Sequence, residues 1–221
     1  SVNDVLSRLP PVLSLAAENG PTACVVAGVS SAVEAWASDL ERDGIVVRLL
    51  QTSHAFHSSM MDPAVEPFEK EVRKITLSAP RIPIASTLTG TWLTDQQAQD
   101  PGYWARHLRE PVRFSSALRT VQLAHPSVFV EVGPRGTLST LARQHATAGQ
   151  GPTVAIATLA DAPQTEAVQM ALAQGRLWTL GFELPTPAAS LMRLPMRATS
   201  AKSVSTSTVL PKPAASIITP M

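Results

Sequence analysis

The sequence predicts an α/β protein in which strands and helices pack as layers around a common core. Apolar runs of strand length at 13–18, 23–28 and 128–132 alternate with segments in which apolar residues recur at helical spacing. The 221 residues are 44% hydrophobic, a content sufficient for a core of this size. Alternation of this kind is typical of α/β folds.

Residues 1–52 are predicted to form a split βαβ unit of the ferredoxin-like type, whose first strand is largely missing. A short helix near the N-terminus precedes two strands, which the turn signal at 19–21 separates. Ser31 and Glu34 have the spacing of a capping box, and the apolar residues that follow recur at i, i+3, i+4 and i+7. The β-branched run at 45–50 completes the unit as a strand.

The chain between residues 53 and 185 continues this alternation. Asp62 and Pro63 are residue types that open a helix, and the apolar residues after them share one face. That face comprises Val65, Phe68, Val72 and Ile75. The further predicted elements are a proline-broken strand at 82–88, helices near 101–108 and from 111, a strand at 128–132, a helix near 137–146, a strand at 153–157 and a helix near 164–180.

The last part of the chain differs in composition from the rest. Residues 184–221 contain no acidic and no aromatic residue, and Ser, Thr, Pro and Ala dominate. Such a segment buries too little apolar surface to offset the entropy lost on ordering. We therefore predict that residues 186–221 form a linker or tail.

Charge and composition exclude several classes of function. Eighteen Lys and Arg balance 17 Asp and Glu, and the basic residues are scattered, so no nucleic-acid partner is expected. The single cysteine excludes a disulfide framework and all-cysteine metal sites, and fits a reducing, cytoplasmic compartment. No apolar stretch has the length of a membrane span. Nucleotide-binding glycine motifs and the zinc motif H-E-x-x-H are absent, so we expect no permanently bound cofactor and no metal.

Two of the five histidines, His54 and His57, lie in a small polar loop that directly precedes the helix predicted from Asp62. A histidine in such a loop can act as a general base near neutral pH. From the residues alone, the two histidines could equally line a polar turn, because H-x-x-H is a weak signal. His125 and His145 have no partner pattern and are expected at the surface.

The motif His54-Ala55-Phe56-His57 resembles the histidine loop of acyltransferase domains in modular polyketide synthases, which are relatives of malonyl-CoA:acyl carrier protein transacylases. Further segments resemble the family in the same order along the chain, and together they cover about residues 1–185. These segments are 15–21, 24–28, 103–114 and 129–138. The resemblance implies that residues 53–185 are the C-terminal part of an α/β-hydrolase-like large subdomain.

The resemblance also implies a reaction and a partner. In such domains a serine on a Gly-His-Ser-x-Gly turn takes an acyl group from an acyl-CoA and passes it to the phosphopantetheine thiol of an acyl carrier protein. His57 matches the family's base, and His54, Ala55 and Phe56 match residues of the acyl pocket. The Phe56 side chain would fill the space of an α-methyl group, which implies malonyl-CoA as the substrate.

Two further residues acquire expected roles from the resemblance. Asn19 faces the active-site cleft on this interpretation, although an asparagine at this position could equally serve only to shape the turn. His107 stands where the family has a residue whose backbone carbonyl orients the catalytic imidazole.

No Gly-x-Ser-x-Gly occurs in the 221 residues. The expected function is therefore that of the C-terminal part of an acyltransferase, whose nucleophile belongs to an upstream half of the domain, and the isolated chain is expected to be inactive. Two alternatives remain open. One is a catalytically dead, truncated acyltransferase that serves as a scaffold or docking module. The other is a freestanding serine hydrolase in which Ser30, between Gly28 and Ala32, is activated by His57.

Overall fold

The computed structural model describes residues 2–124, 126–145, 153–160, 162, 165–184 and 214–219. The chain divides into two compact units. The first comprises Ser1–Phe129, Thr140–Ala155 and Lys212–Met221, and the second comprises Val130–Ser139 and Ile156–Pro211. Of the predicted linker, the segment 186–213 lies outside the described residues.

Helices and strands alternate along most of the described chain, which confirms the predicted α/β class. In chain order they are α1 (Val2–Ser7), β1 (Leu13–Glu18), β2 (Cys24–Val29), α2 (Ser30–Arg42), β3 (Arg48–Gln51), a 3₁₀ turn (Ser59–Met61), α3 (Asp62–Val72), α4 (Asp95–Ala98), α5 (Pro101–Arg106), α6 (Phe114–Ala124), β4 (Val128–Glu131), α7 (Thr137–Arg143), β5 (Val154–Ala157), α8 (Glu166–Thr179) and β6 (Ala214–Thr219). Among the described residues, no helix is both long and apolar enough to cross a membrane.

The main sheet has the strand order β1-β2-β6-β3, and a second sheet consists of β4 and β5. β1 runs antiparallel to β2, and β6 runs antiparallel to both β2 and β3. The strand β6 corrects the prediction that the whole of 186–221 is a linker without regular structure. The backbone of β6 lies inside the sheet and is hydrogen-bonded to β2 along one edge and to β3 along the other. These backbone hydrogen bonds order the strand although the surrounding sequence is polar in composition.

Helices α1 and α2 build the core of the main sheet. Val5 on α1 is 2% exposed, and Val33 and Leu40 on α2 are fully buried against Cys24 and Val26 of β2. The helical spacing of the apolar residues in α2 therefore indicated its buried face correctly. This packing supplies most of the stability of a short sheet, because apolar burial is the dominant favourable contribution to folding.

The start of α2 differs from the prediction. Val29, in an extended conformation, occupies the N-cap position without a side-chain hydrogen bond, and Ser31 lies inside the first turn. The expected Ser31 capping box is therefore not formed, because β2 passes into the helix without an intervening loop. The helix ends at Arg42, and Gly44 has a φ of +76°, a conformation that glycine adopts without strain. The strand predicted at 45–50 is observed at 48–51.

Between residues 62 and 92 one prediction is confirmed and one is wrong. Helix α3 begins at Asp62 with Pro63 in its first turn, as predicted; of its apolar residues, Val72 is buried, Phe68 is 41% exposed, and Ile75, beyond the helix, is 63% exposed. The strand expected at 82–88 is reduced to a single bridge between Ala85 and Trp92. The prolines in this segment remove backbone donors that a continuous ladder would need.

The remaining predicted elements are confirmed with shorter bounds. α6 begins at Phe114 rather than at Pro111, and α7 ends at Arg143. In the second unit the carboxylate of Glu131 accepts hydrogen bonds from the backbone N–H groups of Leu138 (3.0 Å) and Ser139 (2.8 Å). This carboxylate therefore satisfies two of the unpaired donors at the start of α7 and complements the helix dipole.

Candidate active site

The histidine loop lies between β3 and α3 and is anchored on the main sheet. Ala55 is 1% exposed and packs against Ala16, Val25 and Ala27 of β1 and β2. Only a small side chain fits this closely against two strands, because buried side chains are close-packed with their neighbours. Burial of Ala55 therefore fixes the loop two residues before His57.

The next anchor is Ser58, which is 1% exposed. Its hydroxyl donates a hydrogen bond to the Ala55 carbonyl (2.6 Å) and accepts one from the Met60 N–H (3.2 Å). Ser58 thus closes the loop on one side and caps the 3₁₀ turn on the other. His57 therefore lies between Ala55 and Ser58, which are both buried and are joined to each other by a hydrogen bond.

His57 itself has an unusual backbone conformation. Its φ is +61°, in the left-handed region that residues with a Cβ rarely adopt. Its N–H donates a hydrogen bond to the Leu108 carbonyl (2.9 Å), and its Nδ1 lies 2.9 Å from the Glu110 carbonyl oxygen. These two bonds, with the anchors at Ala55 and Ser58, hold the strained conformation in place.

The bond to Glu110 fixes the protonation pattern of the His57 ring. A carbonyl oxygen can only accept, so Nδ1 carries the proton and donates. In a neutral imidazole Nε2 then holds the lone pair and is the atom that can accept a proton. A backbone group therefore orients the His57 ring with Nε2 as the nitrogen that can accept a proton.

The Glu110 carbonyl is itself held against the sheet. Val112, two residues later, accepts a hydrogen bond from the Glu18 N–H (2.8 Å) and donates one to the Ala16 carbonyl (2.9 Å). On the other side, the Arg109 guanidinium donates to the Asp62 carboxylate at the start of α3 (2.5 Å). The segment that orients His57 is thus tied to β1 and to the helix that follows the histidine loop.

For His107 the structure differs from the expectation. The carbonyl that meets the His57 ring is that of Glu110, three residues later, because α5 ends at Arg106 and the following turn brings the carbonyls of Leu108 and Glu110 to the loop. The His107 ring instead stacks on Trp104, with ring centroids 5.7 Å apart. This contact makes His107 part of the packing behind the site.

The His107 ring is also electrostatically unusual. Burial lowers the pKa of His107 below its ordinary value, and the neighbouring charges of His57 and Arg106 lower the pKa further. Its Nε2 is buried without a hydrogen-bond partner among the described residues. Together with Tyr103 and Trp104, the ring lines a small cavity of about 120 Å³. These influences favour the neutral form of the His107 imidazole.

The structure brings the other loop residues together. The Phe56 ring lies edge-on to the His54 ring with centroids 5.8 Å apart, and the Phe56 side chain is 42% exposed. His54 Nδ1 lies 3.1 Å from the Ser53 hydroxyl. Asn19 lies in the turn after β1, where its N–H donates to the Ala23 carbonyl (2.9 Å).

Sequence reasoning missed two features. Glu110 meets the His57 ring through its backbone carbonyl, for which the sequence carries no side-chain signal. The expectation that His145 lies at the surface is wrong: it is 4% exposed, and its ring meets the Leu141 carbonyl and the Ser115 hydroxyl, each at 2.9 Å. His125 lies outside the described residues.

No group of three or more His, Cys, Asp or Glu side chains among the described residues could hold a metal ion. His57 is the residue of the loop in which one ring nitrogen is held by a backbone carbonyl while the other can accept a proton. A histidine held in this way has the geometry to transfer protons in reactions such as acyl transfer or hydrolysis.

Comparison with known proteins defines the family. A model of the acyl transferase domain matches residues 2–183. The chain is 38% identical over 185 residues to a component of the phenolphthiocerol/phthiocerol polyketide synthase of Mycobacterium tuberculosis, covering 82% of this chain and 12% of the relative. It is also 38% identical over 191 residues to the spectinabilin polyketide synthase system protein NorB of Streptomyces orinoci, covering 79% and 9%. The chain therefore belongs to the acyltransferase domains of polyketide synthases.

Solved structures agree with this assignment. The acyltransferase domain of SpnD, in complex with 2-(pent-4-yn-1-yl)malonyl, superposes with a TM-score of 0.76 at 40% identity, over 81% of this chain and 44% of that chain. The acyltransferase domain from the second module of the salinomycin polyketide synthase gives 0.70 at 32% identity, over 83% and 46%. The chain thus spans less than half of these solved domains and only a small part of the mycobacterial synthase.

Proposed function

We propose that this chain is the C-terminal part of a polyketide synthase acyltransferase that loads malonyl from malonyl-CoA onto an acyl carrier protein, with His57 as the general base. The observation that carries the proposal is the 2.9 Å contact between His57 Nδ1 and the Glu110 carbonyl, which leaves Nε2 as the proton acceptor. The nucleophile is a serine outside this chain, because the sequence contains no Gly-x-Ser-x-Gly.

In the first half-reaction, His57 Nε2 accepts the proton of the serine hydroxyl as the oxygen attacks the malonyl thioester carbon. The carbon–sulfur bond then breaks, and the imidazolium returns the proton to the departing CoA thiolate. In the second half-reaction, His57 takes the proton of the phosphopantetheine thiol. The thiolate attacks the malonyl-serine ester, and the proton passes to the serine oxygen as the ester bond breaks.

The Glu110 carbonyl contributes to both steps. Its partial negative charge faces the Nδ1–H group, so it stabilises the imidazolium that forms when Nε2 is protonated. A backbone carbonyl held by the pairing of Val112 with β1 needs no reorganisation during the reaction. This arrangement replaces the carboxylate that orients the histidine in a serine–histidine–aspartate triad.

The selectivity for malonyl is assigned to the loop before the base. Ala55 is buried on the sheet, and the Phe56 side chain, between Ala55 and His57 in the sequence, lies edge-on to the His54 ring. We place Phe56 where an α-methyl group of the acyl chain would lie, with His54 and Asn19 as further residues of the cleft. One methyl group in such a pocket is worth about 1–3 kcal/mol, so the selectivity is partial.

The fold assignment follows from the same proposal. The main sheet with α1 and α2 corresponds to a ferredoxin-like subdomain, since β2, α2 and β3 have the order of a split βαβ unit. The part from residue 53 to residue 185 corresponds to the last portion of an α/β-hydrolase-like subdomain. The upstream half of the domain and the carrier protein are the partners that this chain requires for acyl transfer.

Intact-mass spectrometry tests the proposal. The chain is incubated with malonyl-CoA alone and after co-expression with an acyltransferase segment that carries Gly-His-Ser-x-Gly. We expect no malonyl adduct on the chain alone, and an adduct on the serine of the reconstituted domain that His57→Asn abolishes. An adduct on the isolated chain would place the nucleophile here, at Ser30 for example, and overturn the proposal. Failure of a correctly assembled domain to load malonyl would favour the scaffold alternative.

A further inference from the structure

A second histidine, His145, is paired with a serine outside the histidine loop. Its Nε2 lies 2.9 Å from the Ser115 hydroxyl at the start of α6, and its Nδ1 lies 2.9 Å from the Leu141 carbonyl oxygen on α7. Because a carbonyl oxygen only accepts, Nδ1 carries the proton, and Nε2 of the neutral ring accepts the hydrogen bond that Ser115 donates. A serine, a base and a group that orients the base are the components of an activated nucleophile.

The surrounding structure holds His145 in this position. The residue is 4% exposed, and its ring lies edge-on to the Phe114 ring with centroids 6.2 Å apart. Its N–H donates to the Ala142 carbonyl (3.0 Å), and its own carbonyl accepts from the Thr153 hydroxyl (2.5 Å). Since both the backbone and the ring are fixed, His145 needs no reorganisation to accept the proton of Ser115.

The serine–histidine pair borders a cavity of about 280 Å³, which is lined by the starts of α1 and α6 and by the turn after β1. Ser115, which is half-buried, lines this cavity directly. Gly20 also lines it, and a Cβ at Gly20 would lie 3.5 Å from His145 Cε1 and 3.8 Å from His145 Nε2. The base therefore lies directly behind the wall that carries the serine, and a reactant in the cavity meets the Ser115 hydroxyl.

The lining indicates which reactant fits. Glu18 contributes a negative charge and Arg119 a positive charge, so these two side chains give the wall no net charge. Arg119 follows Ser115 by four residues on α6, which places the two on the same face of the helix. A small cavity with balanced charges suits a neutral polar molecule better than an anionic acyl group such as malonyl.

We propose that Ser115 and His145 form a second nucleophilic site, which cleaves small, neutral carboxylic esters. The Ser115 oxygen attacks the ester carbonyl carbon while His145 Nε2 accepts its proton, and the alcohol leaves with that proton as the carbon–oxygen bond breaks. Water then attacks the acyl-serine, again with its proton taken by His145. The carboxylic acid departs as the Ser115 oxygen recovers the proton.

The position of Ser115 at the start of α6 supports this chemistry. The first N–H groups of a helix have no acceptor within the helix, so donors for the oxyanion are available in the turn that holds Ser115. The proposal goes beyond malonyl loading and does not depend on it, since loading uses His57 and an upstream serine.

Diisopropyl fluorophosphate, a small neutral reagent for activated serines, tests the proposal on the full chain. The Ser115 oxygen bonds to phosphorus, fluoride leaves, and His145 takes the proton. We expect peptide mass spectrometry to locate the adduct at Ser115, Ser115→Ala to abolish it, and His145→Gln to slow labelling about 10²–10⁴-fold. Ser38→Ala is the matched control and leaves labelling unchanged, because Ser38 is an exposed helical serine whose hydroxyl donates to the Glu34 carbonyl.

A second measurement uses only the unsubstituted chain. We expect it to hydrolyse p-nitrophenyl acetate, and this hydrolysis to be lost in proportion to the labelling of Ser115. Hydrolysis that persists after complete labelling of Ser115 would overturn the proposal, as would the absence of an adduct at Ser115. Labelling of Ser115 at an equal rate in a folded His145→Gln chain would remove the base and also overturn it. An adduct at Ser30 that His57→Asn abolishes would instead favour the freestanding hydrolase.

Discussion

The Nδ1 atom of His57 lies 2.9 Å from the carbonyl oxygen of Glu110, across 53 residues of sequence. One partner lies in a loop with a positive φ, and the other precedes by two residues Val112, which is hydrogen-bonded to β1, so each depends on the main sheet for its position. The base of the proposed reaction is thus oriented by tertiary structure alone. Variants of His57 that keep or lose the left-handed backbone conformation distinguish the contribution of backbone strain from that of proton transfer.

Two replacements of His57 distinguish the effect of its backbone conformation on stability from the effect of its side chain on malonyl loading. Asparagine tolerates the left-handed region and alanine does not, so we expect His57→Ala to be less stable than His57→Asn by about 1 kcal/mol. Neither variant has a proton acceptor at the Nε2 position, so both lower malonyl loading by the reconstituted domain about 10²–10⁴-fold. Denaturant unfolding measures the first effect, and intact mass measures the second. Equal stability of the two variants would show that residue 57 does not retain its positive φ in solution.

The buried His107 makes stability depend on pH. Burial, followed by the charges of His57 and Arg106, lowers the pKa of His107 in the folded state, so the unfolded state binds a proton at higher pH. This contribution to stability is complete above the unfolded-state pKa of about 6.5 and is lost as pH falls through the lower folded-state pKa. We therefore expect the urea concentration at the unfolding midpoint to decrease when the pH is lowered from 7.5 to 5.5.

His107→Gln removes the titrating group, so we expect the urea midpoint of that variant to change less over the same pH interval. Arg106→Gln removes only one neighbouring charge and reduces the change by a smaller amount, because burial is the larger cause. A midpoint in His107→Gln that responds to pH as strongly as in the unsubstituted chain would rule out His107 as the source.

The elements that the sequence predicted best are those with a local signal. The apolar spacing of α2 and the runs of β1 and β2 depend on residues that are close in sequence, and the structure confirms them. The Glu110 carbonyl and β6 could not be predicted in the same way. A carbonyl carries no side-chain signature, and the pairing of residues 214–219 with β2 depends on a gap that only the folded sheet creates.

Long-range packing also explains the exposure of Phe68 on α3 and the burial of His145. Helical spacing predicts that one face of α3 is apolar, but burial of that face requires a partner surface, and Phe68 remains 41% exposed in this chain. His145 looked like a surface residue because its hydrogen-bond partner Ser115 lies 30 residues away. When the hydrogen-bond partners of a polar side chain are far away in the sequence, no local pattern identifies that side chain as buried.

Gly28 marks a close approach between β1 and β2. A Cβ at this position would lie 2.6 Å from Leu13 Cδ2 and 3.2 Å from the Val12 carbonyl oxygen. We therefore expect Gly28→Ala to destabilise the chain by about 1–3 kcal/mol through overpacking. Gly133→Ala is the matched control, because an added Cβ there meets no atom within 4 Å, and we expect a change within about 0.5 kcal/mol. Thermal unfolding measures both variants, and similar losses in the two would contradict the packing argument.

The acyl selectivity of the reconstituted domain depends on the proposed position of Phe56. Ala55, 1% exposed, anchors the loop, and the His54 ring lies 5.8 Å from the Phe56 ring, so the phenyl group has a fixed neighbour on one side. Phe56→Ser opens space for a methyl group, and we expect methylmalonyl loading relative to malonyl loading to rise about 10–100-fold. Competition between the two acyl-CoA substrates, read by intact mass, measures the ratio.

Leu123→Ala, which changes a side chain 70% exposed on α6, is the control for this selectivity and is expected to leave the ratio unchanged. Because Phe56→Ser alters the pocket and not the base, total loading with the preferred substrate falls much less than in His57→Asn. If Phe56→Ser leaves the ratio of methylmalonyl to malonyl loading unchanged while His57→Asn still lowers loading, the assignment of Phe56 is contradicted and that of His57 is not. The base would then remain with His57, and the wall that excludes the α-methyl group would have to come from residues other than Phe56.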